Sequence, residues 1–168
     1  MNIRDARPDD APAIAEIYAP FVLETAVSFE ETPPGANEIA RRMAIIQERH
    51  PYLVAEADRT ILGYAYGSPY RPRPAYRHTA EVTAYSRPEA RGRGIGQALY
   101  RELLPRLAAS GFALAIAIIT LPNDASVRFH ERMGFAKAGT LAGVGTKFGT
   151  RHDTGFWQLD LTTGAAHG

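Results

Sequence analysis

The chain of 168 residues contains no cysteine. That excludes disulfides, a thiol nucleophile and any thiolate-held metal. It also suits a cytoplasmic enzyme whose substrate carries a reactive thiol. No apolar run reaches the roughly 18 residues that a membrane span needs. The opening Met1-Asn-Ile-Arg-Asp-Ala6 lacks the apolar segment of a secretory signal. A surplus of one charge is missing too: the formal net charge is +1, so neither a basic field for nucleic acid nor a recognisable nucleic-acid module is present. His78, His130 and His152 are scattered without metal-ligand spacing, so no metal is expected. Repeats, low-complexity tracts and linkers are also lacking. A single domain over residues 1–161 is expected, with residues 162–168 as a disordered tail.

What is present is hydrophobic periodicity. Ile3–Ala6 reads as a strand, and Asp9 or Asp10 can cap the helix that follows, whose Ile14, Ile17, Tyr18 and Phe21 form one stripe. A second helix is expected from Ala36 to Glu48, with Ile39, Met43 and Ile46 inward. Tyr52–Glu56 and Ile61–Tyr66 flank a turn at Asp58-Arg59 and read as an antiparallel hairpin. Residues 68–77 form a stiff, non-helical Pro/Arg/Tyr loop, and a strand covers His78–Ser86. Gly94–Ala109 is helical, with Pro105 as a point where the helix kinks or ends early. Leu114–Thr120 is continuously apolar, as in a strand buried on both faces. Asp124 can cap a helix that stops at Gly134, and strands near 137–144 and 154–161 close the chain. The order β-α-α-β-β-β-α-β-α-β-β makes the fold α/β (α+β) around a mixed sheet.

The most specific signal is Arg91-Gly92-Arg93-Gly94-Ile95-Gly96, set between a strand and an amphipathic helix. Glycines let bare backbone N–H groups approach a ligand, and the helix start and two guanidinium groups add positive charge. That is a pyrophosphate cradle; the alternative is an ordinary turn with solvated arginines. A dinucleotide fingerprint fails because Gln97 stands where its last glycine belongs, and no Gly-Lys-Ser/Thr of a P-loop occurs.

Arg91-x-x-Gly94-x-Gly96 after a strand resembles the acetyl-CoA signature of the GNAT N-acetyltransferases, as do Ile3-Arg-Asp-Ala6 with Asp9, and Phe129-His-Glu-Arg-Met-Gly-Phe135. Pro51–Glu56, Thr79–Glu81, Leu121–His130 and His152–Asp160 are similar to the phosphinothricin and methionine sulfoximine N-acetyltransferases within that superfamily. The resemblance implies a mixed, mostly antiparallel sheet splayed into a V between the strands near 78–86 and 112–120, with about four flanking helices. It implies acetyl-CoA as co-substrate, a small amino-acid substrate and a homodimer. The pantetheine arm would pair with the backbone near Ala84, Tyr85 and Ser86. The phosphates would sit on Arg91–Gln97, and Asn123 would contact the cofactor. Two departures stand out: the first cleft strand reads Thr83-Ala-Tyr-Ser86 where the pattern has Val-Tyr-Val, and Arg151 replaces a Trp.

An amine must lose its proton before it attacks a thioester. Glu81 is the candidate base, since its neighbours Ala80 and Val82 point to the opposite face; the alternative is a salt bridge to Arg77 or another loop arginine. Unpaired N–H groups at the splay can hold the oxyanion. The slot from which many relatives protonate the leaving thiolate holds His130, which reads equally as a hydrogen-bonded helix histidine; Tyr85 is the fallback acid. For an anionic amino acid, Arg71, Arg73 and Arg77 in the Pro-rich loop and Lys147 in the late loop offer cations, with Tyr70 and Phe29 lining; a solvated loop surface is the alternative. Acetylation of another amine or of a protein N-terminus, and a non-catalytic acyl-CoA sensor, remain the competing functions.

Overall fold

The computed structural model describes residues 1–163. Among them are seven strands in one sheet and four helices, in the expected order. The elements are β1 (Asn2–Asp5), α1 (Ala11–Glu24), α2 (Ala36–Gln47), β2 (Tyr52–Ala57), β3 (Thr60–Pro69), β4 (Thr79–Ser86), α3 (Ile95–Ala109), β5 (Leu114–Leu121), α4 (Asp124–Arg132), β6 (Ala136–Lys147) and β7 (Thr150–Asp160). The spatial order is β1-β2-β3-β4-β5-β7-β6, antiparallel throughout except for β4 beside β5.

Two cores cover the two faces. Leu99, Leu103 and Leu107 of α3 pack on Leu53, Ala65, Ala80, Val82 and Ala115. Ile14 and Ile17 of α1 with Ile39 and Met43 of α2 pack on Tyr52, Val54 and Tyr64. Adjacent residues such as Leu53 and Val54 therefore bury on opposite sides, which is why β2 reads as a nearly unbroken apolar run.

The decisive irregularity lies between β4 and β5. They pair only over Thr79–Glu81 with Leu114–Ile116. Beyond that point β4 stays on β3 through Ser86, and β5 stays on β7 through Leu121. The two strands thus part into a V, and one backbone edge of each, from Val82 and from Ala117 onward, has no strand partner among the described residues.

Several local expectations need correction. Asp10 stands at the start of α1, but its carboxylate caps nothing there. It takes two bonds from Arg4 at 2.8 and 2.9 Å and one from Arg7 N–H at 2.7 Å, tying β1 to the helix entry. The cap of α4 is Asn123, not Asp124: its Oδ1 accepts from Ser126 N–H at 3.2 Å. Pro105 does not end α3, because the buried leucine stripe holds the helix across the one missing donor. Residues 68–77 are not all loop: β3 runs on to Pro69 and a 3-10 turn covers Pro74–Tyr76. β5 is not buried on both faces, since Ile118 is 37% exposed where the V opens. The β6–β7 hairpin is much longer than its weak apolar pattern predicts. Of the expected tail, Thr162 and Thr163 are hydrogen-bonded to Asp160; residues 164–168 lie outside the described residues.

Candidate active site

A hollow of about 290 Å³ fills the V. Parity along the strands decides what lines it. Ala80 and Val82 belong to the α3 core, so Glu81, Thr83 and Tyr85 face the α1 side. Ile118 and Thr120 of β5, Thr154 of β7 and Tyr66 of β3 line the same hollow. Glu81 sits in the last paired register before the strands separate, opposite Ile116. Burial raises its carboxyl above the ordinary carboxylate range, with the Arg71 guanidinium pulling the other way. No salt bridge to Arg77 forms among the described residues: the Arg77 guanidinium donates to the Pro74 carbonyl at 3.0 Å.

The outer wall comes from α1 and the segment after it. Tyr18 bonds Ser28 Oγ at 2.6 Å and donates to Glu30, which in turn holds Arg42 through two bonds at 2.7 and 3.0 Å. Phe29 completes this wall by lying across β6 at Gly145, where a Cβ would come within 2.3 Å of its ring. Only glycine admits that approach.

On the α3/α4 side, His130 is 8% exposed and borders the hollow. Its Nδ1 lies 2.8 Å from the Ser126 carbonyl, which can only accept, so Nδ1 carries the ring proton. Nε2 is then free to accept from the Tyr100 hydroxyl at 3.0 Å. Burial lowers the imidazole's pKa, the Ser126 bond opposing, and burial pushes the Tyr100 phenol well up. Both groups are thus neutral near pH 7.

A second hollow of about 610 Å³ lies on this side, bordered by Arg91, Gly92 and Gly94–Gln97 together with Ser86. Ala84, Tyr85, Ser126 and His130 border both hollows, so the two meet at the V. Gly94 is left-handed (φ 73°) and starts α3, whose first intrahelical bond runs from Ala98 N–H to Gly94 O. The N–H groups of residues 94–97 therefore have no helical acceptor and face a ligand-sized space. These residues fit a diphosphate. The Arg93 N–H is a correction to the expected cradle, since it is spent on Ala90 O at 3.2 Å, and Arg93 itself does not border the hollow.

The remaining sequence candidates are placed apart. Tyr70, Arg71, Arg73 and Arg77 lie on the loop near the V but do not border the hollow; Arg71 instead stacks over Tyr70. Lys147 is no surface cation. It is 3% exposed and donates to the carbonyls of Val22 and Ser28 at 2.6 and 2.7 Å. Burial lowers its ammonium's pKa, with Glu31 and Glu30 opposing. Phe29 does border the hollow; Asn123 borders it too, rather than the second hollow where a cofactor contact would place it, and its Oδ1 is spent on Ser126 N–H. Sequence reasoning missed Tyr18, Tyr66, Tyr100 and Thr154. Strand parity carried through Thr83 and Thr120 would have found Tyr66 and Thr154, their register partners; Tyr100 gives no local signal.

Comparison with known proteins agrees with this geometry. The chain is 39% identical to a phosphinothricin N-acetyltransferase of Streptomyces viridochromogenes, covering 96% of this chain and 88% of that protein. It is 39% identical to an L-methionine sulfoximine/L-methionine sulfone acetyltransferase of Pseudomonas paraeruginosa, over 95% of this chain and 94% of the other. The crystal structure of a GNAT-superfamily phosphinothricin acetyltransferase from Sinorhizobium meliloti in complex with AcCoA superimposes with a TM-score of 0.91 at 42% identity, covering 95% and 87% of the two chains. The profile of the Acetyltransferase (GNAT) family matches residues 12–135. With its splayed sheet and its glycine-rich helix start, the chain belongs to the GNAT acetyltransferase family.

Proposed function

We propose that the protein transfers the acetyl group of acetyl-CoA to the primary amine of a small amino acid with an oxygenated side chain, of the phosphinothricin or methionine sulfoximine type. One observation carries this reading: a half-buried carboxyl, Glu81, stands at the apex of a V that joins a cofactor-sized hollow to a smaller one. A hollow of only about 290 Å³ favours a small acceptor over a protein chain. In this reading residues 1–161 act as one acetyltransferase domain. It works in the cytoplasm as a homodimer, without a metal, with neither nucleic acid nor a membrane as partner, and in a resistance or detoxification role.

Acetyl-CoA supplies an activated thioester. The free N–H groups at Gly94–Gln97 and the Arg91 guanidinium hold its diphosphate, and the unpaired edge of β4 at Ala84–Ser86 receives its amide arm. Glu81 takes a proton from the acceptor's ammonium, leaving an amine lone pair. The amine nitrogen bonds to the thioester carbon, and main-chain N–H groups past the fork hold the oxyanion. The C–S bond then breaks, the nitrogen sheds its surplus proton, and the Tyr100–His130 pair where the two hollows meet relays that proton to the departing thiolate. Arg71, near Glu81, is the cation best placed to attract the acceptor's carboxylate.

A thiol-release screen over phosphinothricin, methionine sulfoximine, methionine sulfone and the ordinary amino acids tests the assignment; no release with any of them refutes it. Gly94→Val forces a β-branched residue into a left-handed backbone at the cradle. Calorimetry should show acetyl-CoA binding at least tenfold weaker. An unchanged affinity would separate Gly94 from the diphosphate.

A further inference from the structure

Several polar groups in the wall of the small hollow are already paired. Tyr18 and Ser28 satisfy each other, Asn123 Oδ1 caps α4, and Tyr100 is bonded to His130. Thr154 differs in being both buried and unpaired. Its residue is 5% exposed, and its Oγ1 is buried without a hydrogen-bond partner among the described residues. His50 Nε2 shares that condition, but it lies against Phe112, away from the V.

Thr154 is held by two strands, opposite Thr120 on β5 and Leu141 on β6. Its neighbours Gly155 and Trp157 face the α3 core, so its side chain projects to the face that carries Glu81. Thr154 therefore lines the acceptor hollow on a rigid element, across the V from the base, with its hydroxyl set into the wall. A buried hydroxyl left unpaired is costly, whereas a valine of the same shape would avoid that cost. The hydroxyl is best accounted for by a bond made in the complex.

We infer that Thr154 is a specificity-determining residue: its hydroxyl, buried beside Thr120 in the wall of the acceptor hollow, hydrogen-bonds an oxygen of the acceptor's side chain when the acceptor binds and so selects oxygenated amino acids over apolar ones of similar shape. This rests on the acceptor class proposed above and names the group that reads it. A site built to pair with an oxygen penalises an analogue lacking it, because the site's own polar group is then left bare.

The test compares kcat/KM for methionine sulfone and for methionine, two acceptors that differ by the two sulfone oxygens. Thr154→Val should lower the sulfone-to-methionine ratio about tenfold. Thr154→Ala should lower it likewise, and so stands in should the valine variant not fold. Thr154→Ser, which keeps the hydroxyl, should hold the ratio within about threefold of wild type. The melting temperature of Thr154→Val should not fall, since no bond of the free protein is lost. A ratio unchanged in both hydroxyl-free variants, with wild type acetylating the sulfone, overturns the role of Thr154 and leaves the proposed activity standing. A wild-type protein that acetylates neither acceptor overturns both.

Discussion

Glu81→Gln should lower thiol release at neutral pH by about 100-fold or more, while acetyl-CoA affinity stays within about twofold. Gln keeps the shape and most hydrogen bonding of the side chain but cannot take the acceptor's proton. Glu81 faces the α1 side of the sheet, whereas the cofactor hollow opens on the α3/α4 side, so the substitution touches the acceptor and not the diphosphate cradle. The pH dependence gives a second readout. Burial raises the Glu81 carboxyl above its ordinary range. The wild-type rate should therefore climb with pH through a limb displaced upward from an ordinary glutamate, and this limb should vanish in the variant. The sign of the stability effect follows from the same shift. The folded state binds the Glu81 proton more tightly than the unfolded chain does, so folding stability falls as pH rises from the ordinary glutamate range through the raised one. Glu81→Gln removes that loss, and its melting temperature at pH 8 should equal or exceed that of wild type. Undiminished turnover in the variant would remove Glu81 as the base.

The order of elements was legible because each buried stripe has a period that one side of the sheet enforces. Glu81 was legible for the same reason: two apolar neighbours consigned it to the other face. The cradle at Gly94–Gln97 announced itself by composition, since few other sites need glycines at a helix start. What escaped was everything set by register between distant segments. Thr154 reaches the hollow because β7 is aligned with Thr120, 34 positions earlier in the chain. Tyr100 reads as one more apolar residue of α3, and only α4 folding back brings His130 to its hydroxyl. Asn123 displaced Asp124 as the cap by a single position, within the tolerance of any reading of helix ends. Lys147 misled because a lysine in a Gly/Thr-rich hairpin looks solvated. Its burial depends on two carbonyls contributed from residues 22 and 28.

That misreading makes Lys147 the site of the largest expected stability effect. α1 has no basic residue in its last turn, and its final carbonyls need donors. Phe21 O is met locally by the Thr25 hydroxyl at 2.6 Å, but among the described residues Val22 O is met only by the Lys147 ammonium, which also reaches Ser28 O. The clamp thus ties the end of α1, and the segment that carries Ser28 and Phe29, to β6. Lys147→Met fills the same volume and removes both bonds, leaving two buried carbonyls unpaired. Allowing for the relief of burying an ammonium, unfolding free energy should fall by about 2–4 kcal/mol. For a chain of this length the melting temperature should fall by about 5–12 °C. Function should suffer unevenly. The loosened segment forms the acceptor wall through Ser28 and Phe29, whereas the helix start of α3 is packed elsewhere. KM for the acceptor should rise several-fold while the affinity for acetyl-CoA holds, measured below the onset of melting. If the clamp were only a scaffold contact, the variant would melt early yet keep its acceptor KM; if it were a substrate cation, KM would rise with no loss of stability. Only the two changes together fit a lysine that shapes the acceptor wall from behind.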